Sequence, residues 1–111
     1  MPVWNATRME VETDIDLVQW RIFEIVPDGT RHLVGRNAGT YSGRVSTAIQ
    51  EFDVSTGKGR PRSGRTYQLV GGSGFAGVAD YVWTVWCARH RVEGYIDVTH
   101  LYEREVPDDH A

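Results

Sequence analysis

Three groups of residues have types and spacings that bear on chemistry. The first is a run of cations, Lys58, Arg60, Arg62 and Arg65, separated by glycine, proline and serine. On extended backbone alternate positions project to one side, so Lys58, Arg60 and Arg62 would present their charges together. Guanidinium groups hold phosphates or carboxylates through paired hydrogen bonds, so such a segment suits an acidic protein surface or a nucleic acid. Arg36 and Arg44 lie upstream, and Tyr41 and Tyr67 supply rings that could stack on bases. The second group is Gly72-Ser-Gly74-Phe-Ala-Gly77, which spells G-x-G-x-x-G and is followed 20 residues later by Asp97. In a dinucleotide fold those glycines admit a pyrophosphate to a helix N-terminus, and the acid holds a ribose hydroxyl. The third is Cys87 and His90, which on a helix would meet as nucleophile and base.

Each group also has an ordinary explanation. The strands expected before Gly71 read as hairpins rather than βαβ units, and only 14 residues follow Asp97, so the glycine run reads as a flexible strand-to-helix loop. A lone Cys87 beside a surface His90 is the pattern of a buried, inert thiol. Asp14 and Asp16 share one face of an extended chain and could hold Mg²⁺, but an acidic turn solvated by water is the ordinary explanation. His32, His90, His100 and His110 are scattered without metal-ligand spacing, and one cysteine does not anchor a structural zinc. No cofactor or metal is expected, and an enzyme reading rests on Cys87 and His90 alone. The basic run has its own alternative as a solubilising hairpin tip. It remains the best candidate surface, with Arg36, Tyr41, Arg44, Lys58, Arg60, Arg62, Arg65 and Tyr67 as partner-binding residues.

Charge is unevenly distributed. Formal net charge is −3, which argues against a general nucleic-acid or membrane binder. Between Arg31 and Arg65, however, seven cations face only Glu51 and Asp53, while acids crowd both ends in Glu10, Glu12, Asp14 and Asp16 and in Glu103, Glu105, Asp108 and Asp109. Self-association of the acidic ends with the basic centre is one form the partner could take. A single cysteine excludes an intramolecular disulfide, and Met-Pro-Val-Trp-Asn has no signal-peptide pattern, so a reducing, cytoplasmic setting is expected. No apolar run approaches the roughly 18 residues that span a bilayer, and without secretion the Asn5-Ala6-Thr7 glycosylation match has no weight.

The elements that must position these residues follow from periodicity. A chain of 111 residues, 41% hydrophobic, is one globular domain spanning 1–111. Val3–Thr13 reads as an outer strand. Leu17–Val26 is the strongest strand, with Val18, Trp20 and Ile22 on one face and Leu17, Phe23 and Ile25 on the other, as in a sheet covered on both sides. Pro27-Asp-Gly-Thr30 turns the chain into a returning strand, Arg31–Gly35, and Asn37–Gly43 is loop. Arg44–Phe52 and Arg65–Val70 then form a hairpin at the centre of the sheet, with Ser55–Gly64 as its long, mobile, positive loop. Val45, Ala48, Ile49 and Phe52 also have helical spacing, so a short helix over Ser46–Asp53 competes with strand.

Val78–Val92 reads as helix, with Asp80 near its start, Arg89-His90-Arg91 near its end and Gly94 as a stop. Its Tyr, Val, Trp and Thr residues are poor helix formers, which keeps a strand as the alternative. Tyr95–Arg104 closes as a strand, and Val106–Ala111 is a frayed acidic tail. Four tryptophans, Trp4, Trp20, Trp83 and Trp86, belong first to the core, and an exposed one would mark a contact surface.

Gly43-Arg-Val-Ser-Thr-Ala-Ile-Gln-Glu-Phe-Asp53, Ser63-Gly-Arg-Thr-Tyr-Gln-Leu-Val-Gly71 and Tyr81-Val-Trp-Thr-Val-Trp86 resemble stretches in small, uncharacterised bacterial proteins. The resemblance covers about residues 43–86 and implies a bacterial, cytoplasmic protein. The expected architecture is α+β, an antiparallel sheet of about five to six strands packed on one helix near Asp80–His90, with an all-β barrel as the alternative. The expected function is that of a non-catalytic interaction module, or alternatively a nucleic-acid-binding module, acting through the basic hairpin loop.

Overall fold

The computed structural model describes residues 14–103, so the outer strand expected over Val3–Thr13 and the tail Val106–Ala111 lie outside the described residues. The fold is α+β, with seven strands and one α-helix among the described residues. The strands are β1 (Asp14–Val26), β2 (Arg31–Asn37), β3 (Gly43–Val45), β4 (Ile49–Asp53), β5 (Lys58–Pro61), β6 (Thr66–Leu69) and β7 (Gly94–Asp97), and the helix is α1 (Gly77–Arg89). Sheet order is β3-β2-β1-β6-β5-β4, with β7 also paired to β1. All pairings are antiparallel except β1 with β6, which run parallel, so the sheet is mixed. No helix among the described residues is long and apolar enough to cross a membrane.

β1 is the centre of the sheet, and it is kinked. The register with β2 slips between Val18 and Arg21, where Gln19 has φ +49°. One inserted residue reverses the alternation of every side chain beyond it. Trp20 and Ile22 therefore join Leu17 in one core, together with Ile15, Leu33, Tyr67, Leu69 and Val98. Phe23 and Ile25 face the other way, into a second core with Val34, Ala76, Ala79 and Trp83. Both faces are covered, as expected, but Leu17 shares its face with Trp20 and Ile22 rather than with Phe23 and Ile25. The bulge is the reason.

The stretch expected to be one long strand is two. β3 pairs with β2 at one end of the sheet, β4 pairs with β5 at the other, and only Ser46-Thr47-Ala48 separates them. The sheet curls so that its ends approach, yet it is not closed into a barrel. Buried Ser46 holds the crossing: its Oγ accepts from the Leu33 amide (2.9 Å) and its amide donates to the Leu33 carbonyl (2.9 Å). Ile49–Asp53 is strand, not helix, and it lies at the sheet's edge rather than its centre.

Ser55–Gly64 is not a long loop. The chain reverses in a tight turn fixed by the Gly57 amide on the Asp53 carbonyl (2.8 Å), with the Asp53 carboxylate accepting from the Ser55 amide (2.9 Å). β5 then fills the space between β4 and β6, pairing with both. Gly59 is what lets it fit: a side chain there would begin 2.8 Å from the Phe52 ring. β7 ends at Asp97 rather than continuing to Arg104. The Asp97 carboxylate accepts from the Thr99 amide (2.9 Å) and starts a 3₁₀ turn, Thr99–Leu101.

α1 forms despite its poor helix formers because packing outweighs propensity. Trp83 is 1% exposed and lies 5.1 Å from the Phe23 ring and 5.1 Å from the Tyr95 ring. The helix crosses β2 and β3, and Gly43 is the contact point. A Cβ at Gly43 would fall 2.5 Å from the Val78 carbonyl oxygen.

Candidate functional site

The curled sheet separates the cations expected to act together. On β5, Gly59 and Pro61 turn inward while Lys58 and Arg60 turn out. Directly across on β4 stand Asp53 opposite Lys58 and Glu51 opposite Arg60. The Arg60 guanidinium lies 3.9 Å from the Glu51 carboxylate. On the other side, β6 presents Thr66 and Gln68, and beyond them β1 presents Asp14 and Asp16, both exposed. This wall alternates in sign. It is a solvated, charge-paired sheet face rather than a basic patch.

The remaining cations go elsewhere. Arg31 is committed to the fold: its Nε donates to Glu24 (2.8 Å) and its Nη1 to the Tyr102 hydroxyl (2.8 Å), and those bonds raise its pKa further. Arg44 crosses the inner face of the sheet, opposite Gly35, and its Nε donates to the Tyr67 hydroxyl at 3.2 Å. Tyr67 is 2% exposed and lies in the core, so its ring is not open to stack on a base. Arg65 is half-buried at the start of β6. Arg62 leaves β5 at its end, pinned by its amide on the Ala48 carbonyl (2.7 Å), and lines a groove at the C-terminal end of α1.

Arg36 and Tyr41 remain together, and they remain in reach of a partner. Arg36 sits on the helix-facing side of β2, opposite Gly43 of β3 and Val18 of β1. Its guanidinium lies over the Tyr41 ring, 5.4 Å from the centroid, a cation–π geometry. Its Nε is buried with no hydrogen-bond partner among the described residues. Tyr41 is held in the left-handed region (φ +65°) by the Asn37–Gly43 turn, where its amide donates to the Asn37 carbonyl (2.7 Å), and the ring is 68% exposed.

The first turn of α1 extends this surface. Gly43, two residues beyond Tyr41, lies against the Val78 carbonyl, and Val78 and Tyr81 follow at helical spacing, 43% and 69% exposed. Just before the helix, Phe75 is 62% exposed and borders an apolar pocket of about 190 Å³ floored by Phe23, Val34 and Ala79. At the pocket's rim, Arg21 donates from Nη1 to Asp97 (2.6 Å) and from Nε to the Gly74 carbonyl (2.8 Å), which fixes both side chains. Burial raises the Asp97 carboxyl, but hydrogen bonds from Thr99 and Arg21 outweigh it and hold the group below its ordinary value. Exposed aromatic side chains around an arginine, beside a small apolar pocket, are the composition of interface hot spots.

The other chemical candidates resolve into structure. Gly72–Gly77 does lie between a strand and a helix, but its backbone is strapped to the β1 bulge. The Gly74 amide donates to the Trp20 carbonyl (3.2 Å), and the Gln19 side-chain amide donates to the Phe75 carbonyl (3.0 Å). Cys87 and His90 share no hydrogen bond among the described residues. The His90 Nδ1 donates to the Trp86 carbonyl (2.9 Å), and burial pushes the Cys87 thiol above its ordinary pKa, away from the reactive thiolate. Asp14 and Asp16 have no third ligand: no group of three His, Cys, Asp or Glu that could hold a metal occurs among the described residues.

Sequence reasoning picked out Arg36 and Tyr41 but missed Phe75, Val78 and Tyr81. The signal was present. α1 is apolar on nearly all sides, so a helix covered on one face must leave Val78 and Tyr81 in the open. No family model matches the chain, and no curated protein or solved structure matches it.

Proposed function

We propose that the protein is a non-catalytic interaction module that binds an acidic protein segment at the N-terminal turn of α1. Arg36 receives a carboxylate there, Tyr41, Val78 and Tyr81 cover the flanking apolar surface, and the Phe75 pocket takes one apolar side chain. The observation that carries this reading is the grouping of four large, exposed apolar residues with Arg36, whose guanidinium lies over the Tyr41 ring and whose Nε has no hydrogen-bond partner among the described residues. Exposed apolar patches of this kind mark contact surfaces, and a guanidinium pairs with a carboxylate through strong, charge-assisted hydrogen bonds. The Lys58–Arg60 wall lacks both properties, since its cations already face acids across the ladder.

The test is a selection from a random peptide display library on the folded wild-type protein. Enriched peptides should pair an acidic residue with an aromatic or aliphatic anchor. They should lose affinity for Arg36→Glu, Phe75→Ala and Tyr81→Ala and keep it for Lys58→Ala/Arg60→Ala. Peptides that discriminate only the β5 variant would move the site to that wall and overturn the assignment.

A further inference from the structure

At the opposite end of α1, a helix of 13 residues and so about 20 Å long, lies a second and larger concavity of about 580 Å³. It is built from four distant parts of the chain, one of them Thr47 and Ala48 between β3 and β4. Arg62 arrives from the end of β5, His90 and Arg91 from the end of the helix, and Thr30 and His32 from the β1–β2 reversal. Ile25, Val26, Pro27, Ala48 and Val92 give it an apolar floor.

The aromatic wall is ordered. Trp86 stacks on Trp83 at 5.3 Å (10° between planes), and His90 stacks on Trp86 at 4.0 Å (20°), with His32 4.8 Å from Trp86 on a tilted plane. Both nitrogens of His32 are occupied: Nδ1 donates to the Ser46 carbonyl (2.9 Å) and Nε2 accepts from the Thr30 hydroxyl (3.0 Å). His90 spends Nδ1 on the Trp86 carbonyl, which leaves Nε2 available.

The two arginines are exposed, and their backbone amides are hydrogen-bonded to the Ala48 and Ala88 carbonyls. Neither has an ion-pair partner among the described residues. Arg91 occupies the position after the helix cap with φ +55°, where the Val92 amide donates to the Cys87 carbonyl (2.9 Å) and its own amide to the Ala88 carbonyl (3.3 Å). Glycine is the usual residue at that left-handed position. A long cation held there instead is a specific placement. Burial lowers the His32 pKa, the hydrogen bond with the Ser46 carbonyl raises it, and the neighbouring His90 and Arg62 lower it further.

We infer that this groove binds a phosphate monoester carried on a flat aromatic body, the phosphate held between Arg62 and Arg91 and the ring lying along the Trp86–His90 stack. Asp28 and Glu93 also line the groove. They balance the charge of Arg62 and Arg91, which disfavours an extended polyanion. The site is separate from the face around Arg36, so either can fail without the other.

The experiment titrates phenyl phosphate into the full chain, read by tryptophan fluorescence and by amide chemical shifts, beside inorganic phosphate and benzyl alcohol. Saturable binding below about 10 mM is expected for phenyl phosphate, with shifts at Thr47, Arg62, Trp86 and Arg91. Inorganic phosphate should bind more weakly and benzyl alcohol not measurably. Arg62→Ala and Arg91→Gly should each weaken phenyl phosphate by roughly tenfold or more. Arg91→Gly suits the left-handed backbone and keeps the fold, so its loss of affinity cannot be laid to unfolding. No saturable binding, or wild-type affinity in either variant, would overturn the assignment.

Discussion

Glu51 and Arg60 stand directly opposite each other on β4 and β5, carboxylate and guanidinium 3.9 Å apart and both side chains more than half exposed. With Asp53 opposite Lys58, this pairing turns an apparently basic segment into a neutralised sheet face. An exposed pair of this kind stabilises by about 0–1 kcal/mol. Lys58→Ala/Arg60→Ala should therefore shift the urea midpoint little. Labelled single-stranded RNA should bind wild type and variant with equal, weak affinity at low salt. Tight binding with a salt slope near −3 to −4, lost in the variant, would restore the nucleic-acid reading.

Gly43→Ala probes the contact that sets the helix on the sheet. Its new methyl would meet the Val78 carbonyl and the Val82 side chain, at 2.5 and 2.8 Å, and backbone does not yield as a flexible side chain does. A cost of about 1–3 kcal/mol is expected, with amide shifts spreading through Val78–Val82. A stability within error of wild type would mean that α1 can slide on β3.

His32 gives stability a pH dependence. Burial, the largest cause, holds its imidazole below the ordinary value of 6.5, so the folded state binds this proton more weakly than the unfolded chain does. The unfolded state then gains protons first as pH falls. Stability from this group is full above about pH 6.5 and declines below it, toward the lowered folded value. Urea midpoints should fall between about pH 7.5 and 5, and His32→Gln should remove that part of the decline. An unchanged profile in His32→Gln would show that the buried imidazole is not the source.

Much of the fold was legible because it rests on patterns local in sequence. Leu17–Val26 is apolar on both faces, Pro27–Thr30 has turn chemistry, and Gly77–Arg89 is bounded by Asp80 and Arg89. What escaped depends on contacts between distant segments. The bulge at Gln19 is not written in β1: it matches a loop more than fifty residues away, whose Phe75 carbonyl takes the Gln19 amide. β5 was hidden by composition, since Lys-Gly-Arg-Pro has little strand propensity. Gly59 succeeds there because Phe52 and Tyr67 surround a position with no side chain.

The candidate site was legible in the same uneven way. Charge marked Arg36, and the Asn37–Gly43 loop marked Tyr41 as a residue near the surface. Counting cations along the chain could not reveal that the sheet's curl sends Arg44 inward, Arg62 to the far end of the helix, and Lys58 and Arg60 onto a wall facing acids. The all-round apolar helix signalled that some residues stay open, and the buried side that Ala79 and Trp83 define decides that Val78 and Tyr81 are among them.

The most direct measurement is the affinity of a selected acidic, aromatic peptide for wild type, Arg36→Glu, Tyr81→Ala and Lys58→Ala/Arg60→Ala, with circular dichroism confirming that each variant is folded. A loss of at least about 1 kcal/mol, roughly fivefold, is predicted for Tyr81→Ala and a larger loss for Arg36→Glu, with the β5 variant unchanged. Equal affinity in all four proteins, or loss confined to the β5 variant, would contradict a partner site at the N-terminal turn of α1.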